Sequence, residues 1–297
     1  MNVNTNVNTN VNTNVNTNRS MSMLDDLVKE YGMKKVNSMT KYPSILTYHD
    51  LYKGATLNTL TEGKTFAPDA VLEMTEKVDG MNSRLIYLDD DFIIGERESI
   101  VFAKGDRIQN SPVISPMLNE LETFFNTGLK DDKNMLTVIY GESYGYNIAS
   151  KKQYVINSNN RKYRVFDIVQ IPINDVHKIL SMDIAQIASW RDHMHQPFVD
   201  TDTLAAFCKE FNIMRTPVIK EVMGSEVPTD YKETLKWMQD FATSTAVLDV
   251  PENGTKTNQM YARAEGVILR TKDRSMIRKF RFEEYQKAER LGWKQMK

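Results

Sequence analysis

The chain has 297 residues and a formal net charge of −1, and 41% of its residues are hydrophobic and 26% charged. This length suffices for one large domain or two modest ones, and the composition is that of a globular protein with a core. A charge so close to zero gives no overall basic surface, so charge alone does not indicate a nucleic-acid-binding protein. The single cysteine, Cys208, excludes an intramolecular disulfide framework, and we expect a reducing, cytoplasmic environment. Because no apolar run approaches about 18 residues, we expect no membrane span.

The N-terminal residues form a repeat of low complexity. The tetrapeptide NVNT occurs four times in residues 2–17. Such a polar segment has almost no apolar surface to bury, which predicts a disordered tail over residues 1–20. A helical pattern begins with "MLDDLVKEYGM", from Met23 onward. We therefore expect one folded domain over residues 21–297.

Strand patterns occur in the first half of the chain and again near its end. "NSRLIYL" and "DFIIGERE" flank the acidic turn "DDD" at residues 89–91, which predicts a β-hairpin. Further short strands are expected in four segments rich in β-branched and aromatic residues, namely "MLTVIYGES", "KYRVFDIVQI", "EGVILRT" and "MIRKFRF".

Helical patterns lie between these strands. "SPMLNELETFFNTGL" begins with a Ser-Pro pair and has apolar residues spaced by three and four. Three more helical segments lie between residues 181 and 243, namely "SMDIAQIASWRDHM", "TDTLAAFCKEFNI" and "TDYKETLKWMQDFAT". This order of strands, helices and strands predicts an α+β fold with antiparallel sheets and a helical insertion.

The segment "EKVDGMNSR", residues 76–84, places a lysine, an aspartate and a glycine close together. A lysine becomes a nucleophile when burial or nearby cations lower its pKa. On a strand, Lys77 and Asp79 would point to the same face, and Gly80 would allow a ligand to approach closely or the chain to turn. Taken alone, this segment favours an ordinary ion pair at the end of a strand over a nucleophile.

Five further segments follow this lysine along the chain: "GER" (95–97), "YGES" (140–143), "YRVFDI" (163–168), "EGVILR" (265–270) and "IRKFR" (277–281). In this order they resemble the motifs of the covalent nucleotidyltransferase superfamily, which contains ATP-dependent polynucleotide ligases and capping guanylyltransferases. Within it, the chain most resembles RNA ligases of the phage RNA-ligase-2 type. Asn82 stands where DNA ligases usually carry arginine, and Arg97 has the spacing expected of an arginine that contacts ribose or phosphate.

The resemblance implies a fold, a reaction and its cofactors. The fold is an antiparallel-sheet, ATP-grasp-like nucleotidyltransferase domain. The reaction is an ATP-dependent joining of RNA ends that carry a 5′-phosphate and a 3′-hydroxyl, through lysyl-AMP and an adenylated 5′ end. ATP is the AMP donor, and Mg²⁺ or Mn²⁺ is the divalent cation. The implied partners are RNA ends, those of a nicked duplex among them, and a viral or phage origin is compatible with the resemblance.

The resemblance also implies a role for each matching residue. Lys77 is the nucleophile, and Lys279 and Arg281 hold the α-phosphate. Glu265 and Glu142 hold the divalent cation, and Glu142 also contacts the ribose hydroxyls. The other nucleotide-binding positions are Glu76 and Phe166 at the adenine, Arg97 at the ribose or a phosphate, and Asp79, Gly80 and Asn82 in the lysine motif.

Some features depart from the usual family pattern. The last motif usually has two lysines two positions apart, whereas this chain has Lys279 and Arg281, and Arg278 offers an alternative register. Asp79 stands where the phage enzymes often carry histidine. Only 15 residues follow Phe282, so we expect no C-terminal oligonucleotide-binding barrel. We therefore expect either an accessory partner that binds RNA or a minimal enzyme with modest affinity for RNA.

Other functions are compatible with the same motifs. A DNA ligase or a capping guanylyltransferase shares them, although each normally carries the barrel. A non-catalytic nucleotide- or RNA-binding module would share part of them. Taken singly, Glu142 and Glu265 are equally well explained as surface carboxylates, Phe166 as a core residue and Arg97 as one side of an ion pair. The oligomeric state stays open, as does the choice between a nick, a broken loop and two free ends.

Overall fold

The computed structural model describes residues 22–101, 111–127, 134–148, 154–155, 159–248 and 263–291. The predicted tail over residues 1–20 lies outside the described residues, so its disorder stays a prediction. In the described part of the chain, no helix is both long enough and apolar enough to cross a membrane.

The described residues contain eleven β-strands. In chain order these are β1 (His49–Tyr52), β2 (Ala55–Leu60), β3 (Val71–Lys77), β4 (Met81–Leu88), β5 (Asp91–Glu96), β6 (Ile100–Val101), β7 (Met135–Gly145), β8 (Arg161–Pro172), β9 (Val218–Met223), β10 (Gly266–Thr271) and β11 (Ile277–Arg281). Five strands form one sheet in the order β6-β5-β4-β7-β8, four form a second in the order β11-β10-β3-β9, and β1 pairs with β2. The strand pairs within both sheets are antiparallel, which confirms the predicted sheet type.

The helices of the described residues are short. They are α1 (Met23–Tyr31), α2 (Met33–Thr40), α3 (Ile114–Glu120), α4 (Glu122–Thr127), α5 (Ile173–Ser181), α6 (Ile184–Asp192), α7 (Thr201–Glu210), α8 (Tyr231–Gln239) and α9 (Phe282–Leu291). Asp183, Asp200 and Asp230 fix where α6, α7 and α8 begin, because each side chain accepts a hydrogen bond from a backbone N–H of the first turn. The segment predicted as one helix from Ser115 onward forms two, α3 and α4, with a break at Leu121.

Helices cover both faces of the five-stranded sheet. Successive residues of β4 point to opposite faces, so Leu85 joins a core with α3, α4 and α7, and Ile86 joins a second core with α1, α2, α5 and α6. The four-stranded sheet packs one face on α8 and α9, through residues such as Leu72 and Phe280. The remaining face of the four-stranded sheet carries Lys77. The predicted α+β fold with a helical insertion is therefore confirmed.

A buried histidine ties the β1–β2 hairpin to α9. Nε2 of His49 lies 2.9 Å from the carbonyl oxygen of Thr229, which can only accept, so Nε2 carries the proton. Nδ1 lies 2.8 Å from the hydroxyl of Tyr285 and accepts its hydrogen bond. Burial lowers the pKa of His49, although the carboxylates of Asp230 and Asp50 and the Thr229 carbonyl oppose this shift.

This environment predicts a loss of stability on acidification. At a pH between the lowered pKa of His49 in the folded state and its unfolded value of about 6.5, the folded state binds fewer protons at His49 than the unfolded state does. The stabilisation is therefore present above pH 6.5 and is lost as the pH falls through the folded pKa. We expect His49→Gln to reduce this pH dependence in urea unfolding between about pH 7 and pH 5. The exposed His193→Gln variant should keep the wild-type dependence, and identical pH profiles for all three proteins would contradict the prediction.

Candidate active site

A cavity of about 850 Å³ is lined by residues of both sheets. Alternation along β3, β10 and β11 turns every second side chain of the four-stranded sheet toward it. Residues 41–46, which follow α2, form a further wall. The strand residues that line the cavity include Thr75, Lys77, Asn82, Glu142, Phe166, Ile268, Arg270, Ile277 and Lys279.

Lys77 is the last residue of β3 and lies opposite Gly266 of β10. This register brings the preceding residue, Glu265, within reach, and Nζ of Lys77 donates a hydrogen bond to Oε2 of Glu265. Oε1 of Glu265 accepts a second hydrogen bond from Nε of Arg281, at 2.6 Å. Glu265 therefore holds the cationic groups of Lys77 and Arg281 side by side at the end of the cavity wall. Only 14% of its side chain is exposed, so it is not a surface carboxylate.

Strand β11 presents its cations on two faces. Lys279 lines the cavity, whereas Arg278 is buried on the opposite face and reaches Glu62 at 3.4 Å. Burial lowers the pKa of Lys279, and the cations of Lys77 and Arg281 lower it further. Because successive side chains of a strand point to opposite faces, Lys279 and Arg281 lie on one face of β11 and Arg278 lies on the other.

Glu142 and Asn82 lie opposite each other in β7 and β4. Burial raises the pKa of Glu142 to about 8, although the ammonium group of Lys77 lowers it, and Glu265 raises it further. Oδ1 of Asn82 is buried and has no hydrogen-bond partner among the described residues. The wall beside Lys77 therefore offers a carboxyl group and an unsatisfied amide oxygen.

The two carboxyl groups near Lys77 fit a cation that arrives with a substrate. Among the described residues there is no group of three or more His, Cys, Asp or Glu side chains that could hold a metal ion. Mg²⁺ is usually bound through one or two carboxylates, with waters and substrate phosphates completing its shell. Glu142 and Glu265 are two such carboxyl groups, but both oxygens of Glu265 already accept hydrogen bonds from Lys77 and Arg281, so one of these bonds would have to give way to Mg²⁺ or Mn²⁺. That the two residues hold the cation stays a prediction.

Gly80 lies where the chain passes close to β7. A Cβ at this position would meet the carbonyl oxygen of Ser143 at 2.2 Å and Cγ of Glu142 at 2.9 Å. We expect Gly80→Ala to displace the backbone and to lower the free energy of unfolding by about 1–3 kcal/mol, measured in urea. The neighbouring Met81 is 46% exposed, and Met81→Ala should change the same quantity by no more than about 0.5 kcal/mol. A Gly80→Ala variant as stable as the wild type would contradict the close approach.

Three predicted residues lie apart from the cluster around Lys77. The carboxylate of Glu76 faces away from it and accepts a hydrogen bond from the hydroxyl of Ser244 at 2.5 Å. Strand β3 ends before Asp79, so alternation does not extend to Asp79, which is not among the described residues that line the cavity. Arg97 lines the cavity with a side chain that is 78% exposed. Their contacts with a nucleotide stay predictions.

Arg84 and Asn37, to which the resemblance assigns no role, hold the turn that carries Arg97. Arg84 is fully buried, and it donates hydrogen bonds to the carbonyl oxygen of Glu96 and to Oδ1 of Asn37, the latter at 2.6 Å. Nδ2 of Asn37 donates to the carbonyl oxygen of Glu98 at 3.0 Å. The carbonyl groups on both sides of Arg97 are thus fixed, although its side chain is exposed. A lone arginine in a strand pattern gives no sign of this burial.

Phe166 lies on a wall supported by buried charges. Its ring packs edge-on against that of Tyr42, with the ring centroids 4.9 Å apart. Its carbonyl oxygen accepts a hydrogen bond from Nη1 of Arg270 at 2.9 Å. Next to it, Asp167 is fully buried and pairs with Arg274 at 2.6 Å. Of these four supporting residues, Asp167 and Arg270 lie in motif segments without an assigned role, and Tyr42 and Arg274 lie outside the motifs.

Comparisons with known proteins gave matches among solved structures and family models. A search of curated proteins found no match. Among solved structures, the chain is similar to Naegleria gruberi RNA ligase with PPi, at a TM-score of 0.49 and 12% identity over 85% of this chain and 59% of that one. It is also similar to a variant of that ligase with ATP and Mn, at a TM-score of 0.45 and 12% identity over 74% of this chain and 52% of that one. The chain thus spans between about half and two thirds of the length of these Naegleria proteins.

A family model shows the family to which the chain belongs. The model, described as RNA ligase, matches residues 71–287, which is most of the chain and includes all six motif segments. The strands that carry Lys77, Glu142, Phe166 and Lys279 all lie within this range. The chain therefore belongs to the RNA ligase family.

Proposed function

We propose that this protein is an ATP-dependent RNA ligase that joins 5′-phosphate and 3′-hydroxyl RNA ends through lysyl-AMP on Lys77. One observation carries the proposal: Nζ of Lys77 meets the carboxylate of Glu265 beside a large cavity that Lys279 also lines. A covalent phosphoryl transfer needs such a nucleophile among groups that neutralise phosphate charge. Membership of the RNA ligase family supports the same reaction.

The first step forms a bond between nitrogen and phosphorus. The amine of Lys77, having lost one proton, attacks the α-phosphorus of ATP. The bond from that phosphorus to the β-bridging oxygen breaks, and pyrophosphate leaves with the electron pair. The nitrogen releases a second proton as the phosphoramidate forms. Oε2 of Glu265 accepts the hydrogen bond of Nζ and is thus placed to take the first proton.

The surrounding residues supply charge and position. Lys279 and Arg281 lie on one face of β11 and stabilise negative charge that develops on the α-phosphate. Phe166 and Ile268 line the cavity from opposite sheets. In the proposed complex the purine base would lie between them. Stacking on an aromatic ring is worth about 1–3 kcal/mol per base. Glu142 and Glu265 would hold a divalent cation, which would further neutralise phosphate charge.

The later steps use the same amine as a leaving group. An oxygen of the RNA 5′-phosphate attacks the phosphorus of lysyl-AMP, and the bond to Nζ of Lys77 breaks as the nitrogen regains its protons. The RNA 3′-hydroxyl then attacks the activated 5′-phosphorus, a phosphodiester bond forms, and AMP leaves. The partners are therefore RNA ends. The same proposal includes a nicked duplex as a substrate and an accessory RNA-binding protein as a partner.

A joining assay tests the proposed function. The protein is incubated with Mn²⁺ or Mg²⁺, a nucleoside triphosphate and single-stranded or nicked RNA with a 5′-phosphate and a 3′-hydroxyl, and products are separated on a denaturing gel. We expect joined or circular RNA with ATP and none with GTP, and slower joining of matched DNA. Labelling of the protein by GTP alone would instead indicate a guanylyltransferase. Joining of DNA while RNA stays unjoined would indicate a DNA ligase.

A further inference from the structure

One buried hydroxyl in the cavity wall has no assigned role. Thr216 lines the cavity and is only 5% exposed. Its Oγ1 has no hydrogen-bond partner among the described residues. A buried hydroxyl without a partner costs about 1–3 kcal/mol, so such groups are uncommon unless a ligand or water satisfies them. The backbone N–H of Thr216 is satisfied by the carbonyl oxygen of Val165 at 2.8 Å.

Thr216 lies beside Phe166 in the cavity wall, because its backbone pairs with that of Val165. Val165 precedes Phe166, the ring proposed to stack on the purine, and residue 217 follows Thr216 on the other side. The carbonyl oxygen of Pro217 accepts a hydrogen bond from the backbone N–H of Glu76 at 2.9 Å. Thr216 therefore bridges the strand of Phe166 and the strand that ends at Lys77, away from Lys279 on β11.

The segment around Thr216 is held firmly on several sides. The backbone N–H of Met214 donates to Oε1 of Glu120 at 2.5 Å. The carbonyl oxygen of Arg215 accepts a hydrogen bond from Nη1 of Arg164 at 3.0 Å. The guanidinium group of Arg215 pairs with Glu73 at 2.6 Å.

Backbone and side-chain contacts thus fix residues 214–217. A β-branched side chain such as that of Thr216 also has few rotamers. The hydroxyl of Thr216 is therefore held in a preorganised position in the cavity wall, as binding groups require.

We infer that Thr216 is a nucleotide-binding residue whose hydroxyl forms a hydrogen bond with the edge of the purine base of a nucleoside triphosphate. The inference rests on the proposed function for the identity of the nucleotide. It adds a polar contact to the base, whereas stacking by Phe166 has no preference among bases. Loss of this contact leaves both the hydroxyl and the base atom unsatisfied, so it affects affinity more than a solvent-exposed contact would.

The test measures equilibrium binding of ATP in a Lys77→Ala background, in which no adduct forms. We expect Thr216→Val to raise the dissociation constant about 3- to 10-fold, as for the loss of one hydrogen bond. Thr216→Ser keeps the hydroxyl and should stay within about twofold of the parent. The matched control is Thr137→Val, because Oγ1 of Thr137 is also buried and without a partner among the described residues but is not at the cavity.

Base analogues identify the contact. Binding is repeated with 1-deaza, 3-deaza and 7-deaza ATP and with purine riboside triphosphate, each of which lacks one polar group of the base. We expect one analogue to bind the parent more weakly than ATP does and to bind Thr216→Val as well as ATP does, which is the coupling that a double-mutant cycle detects. Unchanged ATP affinity in Thr216→Val, or equal losses with every analogue in both proteins, would overturn the inference.

The ATP-binding test of Thr216 and the RNA-joining assay can fail independently of each other. Joining of RNA by the wild type, together with unchanged affinity in Thr216→Val, would overturn this inference alone. Weakened ATP binding in Thr216→Val without RNA joining by the wild type would support Thr216 and contradict the ligase. An absence of any ATP binding would overturn both.

Discussion

Replacement of Lys77 by alanine is expected to abolish the AMP adduct. The wild type, incubated with ATP and Mn²⁺ in the presence of a pyrophosphatase, should gain the mass of one AMP in an intact-mass spectrum. Lys77→Ala removes the only atom proposed to bond to phosphorus. Loss of a covalent nucleophile typically lowers the rate on the order of 10⁴- to 10⁶-fold, so no adduct should be visible. Joining of RNA with a 5′-phosphate should fall to background in the same variant.

The substitution leaves the fold intact, which makes the result specific. Glu265 keeps its hydrogen bond with Arg281 when the ammonium group of Lys77 is removed. The matched control is Lys64→Ala, since Lys64 is 70% exposed and lies 3.9 Å from Glu62. We expect Lys64→Ala to form the adduct at the wild-type rate. An adduct of wild-type size on Lys77→Ala would show that another residue carries the AMP.

The strands around Lys77 were predictable because their signals are local, whereas the role of Lys77 as a nucleophile was implied by the resemblance and stays a prediction. Alternation along a strand in "MIRKFRF" predicts that Ile277 and Lys279 share one face, and both line the cavity in the structure. The hairpin turn was evident from its acidic residues, and Asp89 and Asp90 adopt the positive φ angles of 49° and 61° that such turns use. The three helices between residues 181 and 243 were also predicted, and each begins after an aspartate that caps it.

The rest depends on contacts between distant segments. Tyr42 lines the cavity and packs against Phe166, yet 124 positions separate them in the sequence and neither pattern refers to the other. Thr216 lies in a connection before β9, where no periodicity marks a wall residue. Arg84 and Asn37 are similarly separated. A single sequence shows which residues share a local face, and it does not show which face meets a partner elsewhere in the chain.

Burial of charge was the second kind of information that the sequence lacked. Asp167 was noticed as part of "VFDI", but its partner Arg274 is in a polar turn that is typical of exposed residues. In the structure both are at most 5% exposed. Burial lowers the pKa of Arg274, but Asp167 and Tyr42 more than offset this effect, so the pKa is raised. The motif aspartate is therefore a structural partner of an arginine that lies outside the motif.

Removal of this aspartate is the substitution expected to cost the most stability. The carboxylate of Asp167 pairs with Arg274 at 2.6 Å, lies 3.7 Å from Nη1 of Arg270 and accepts the hydroxyl of Tyr42 at 2.8 Å. Asp167→Ala leaves a buried guanidinium without its counterion. Breaking a buried pair in this way typically costs about 3–5 kcal/mol. We expect a loss of that size in the free energy of unfolding measured in urea.

An exposed ion pair of the same chemistry is the control. Asp175 pairs with Lys178 at 2.7 Å on the surface of α5, where 49% of the Asp175 side chain is exposed. Asp175→Ala should cost less than about 1 kcal/mol, because solvent screens such pairs. Comparable small losses in Asp167→Ala and Asp175→Ala would contradict a supporting role for the buried charges. Because Tyr42 links Asp167 to the ring of Phe166, a large loss in Asp167→Ala alone should be accompanied by weaker ATP binding.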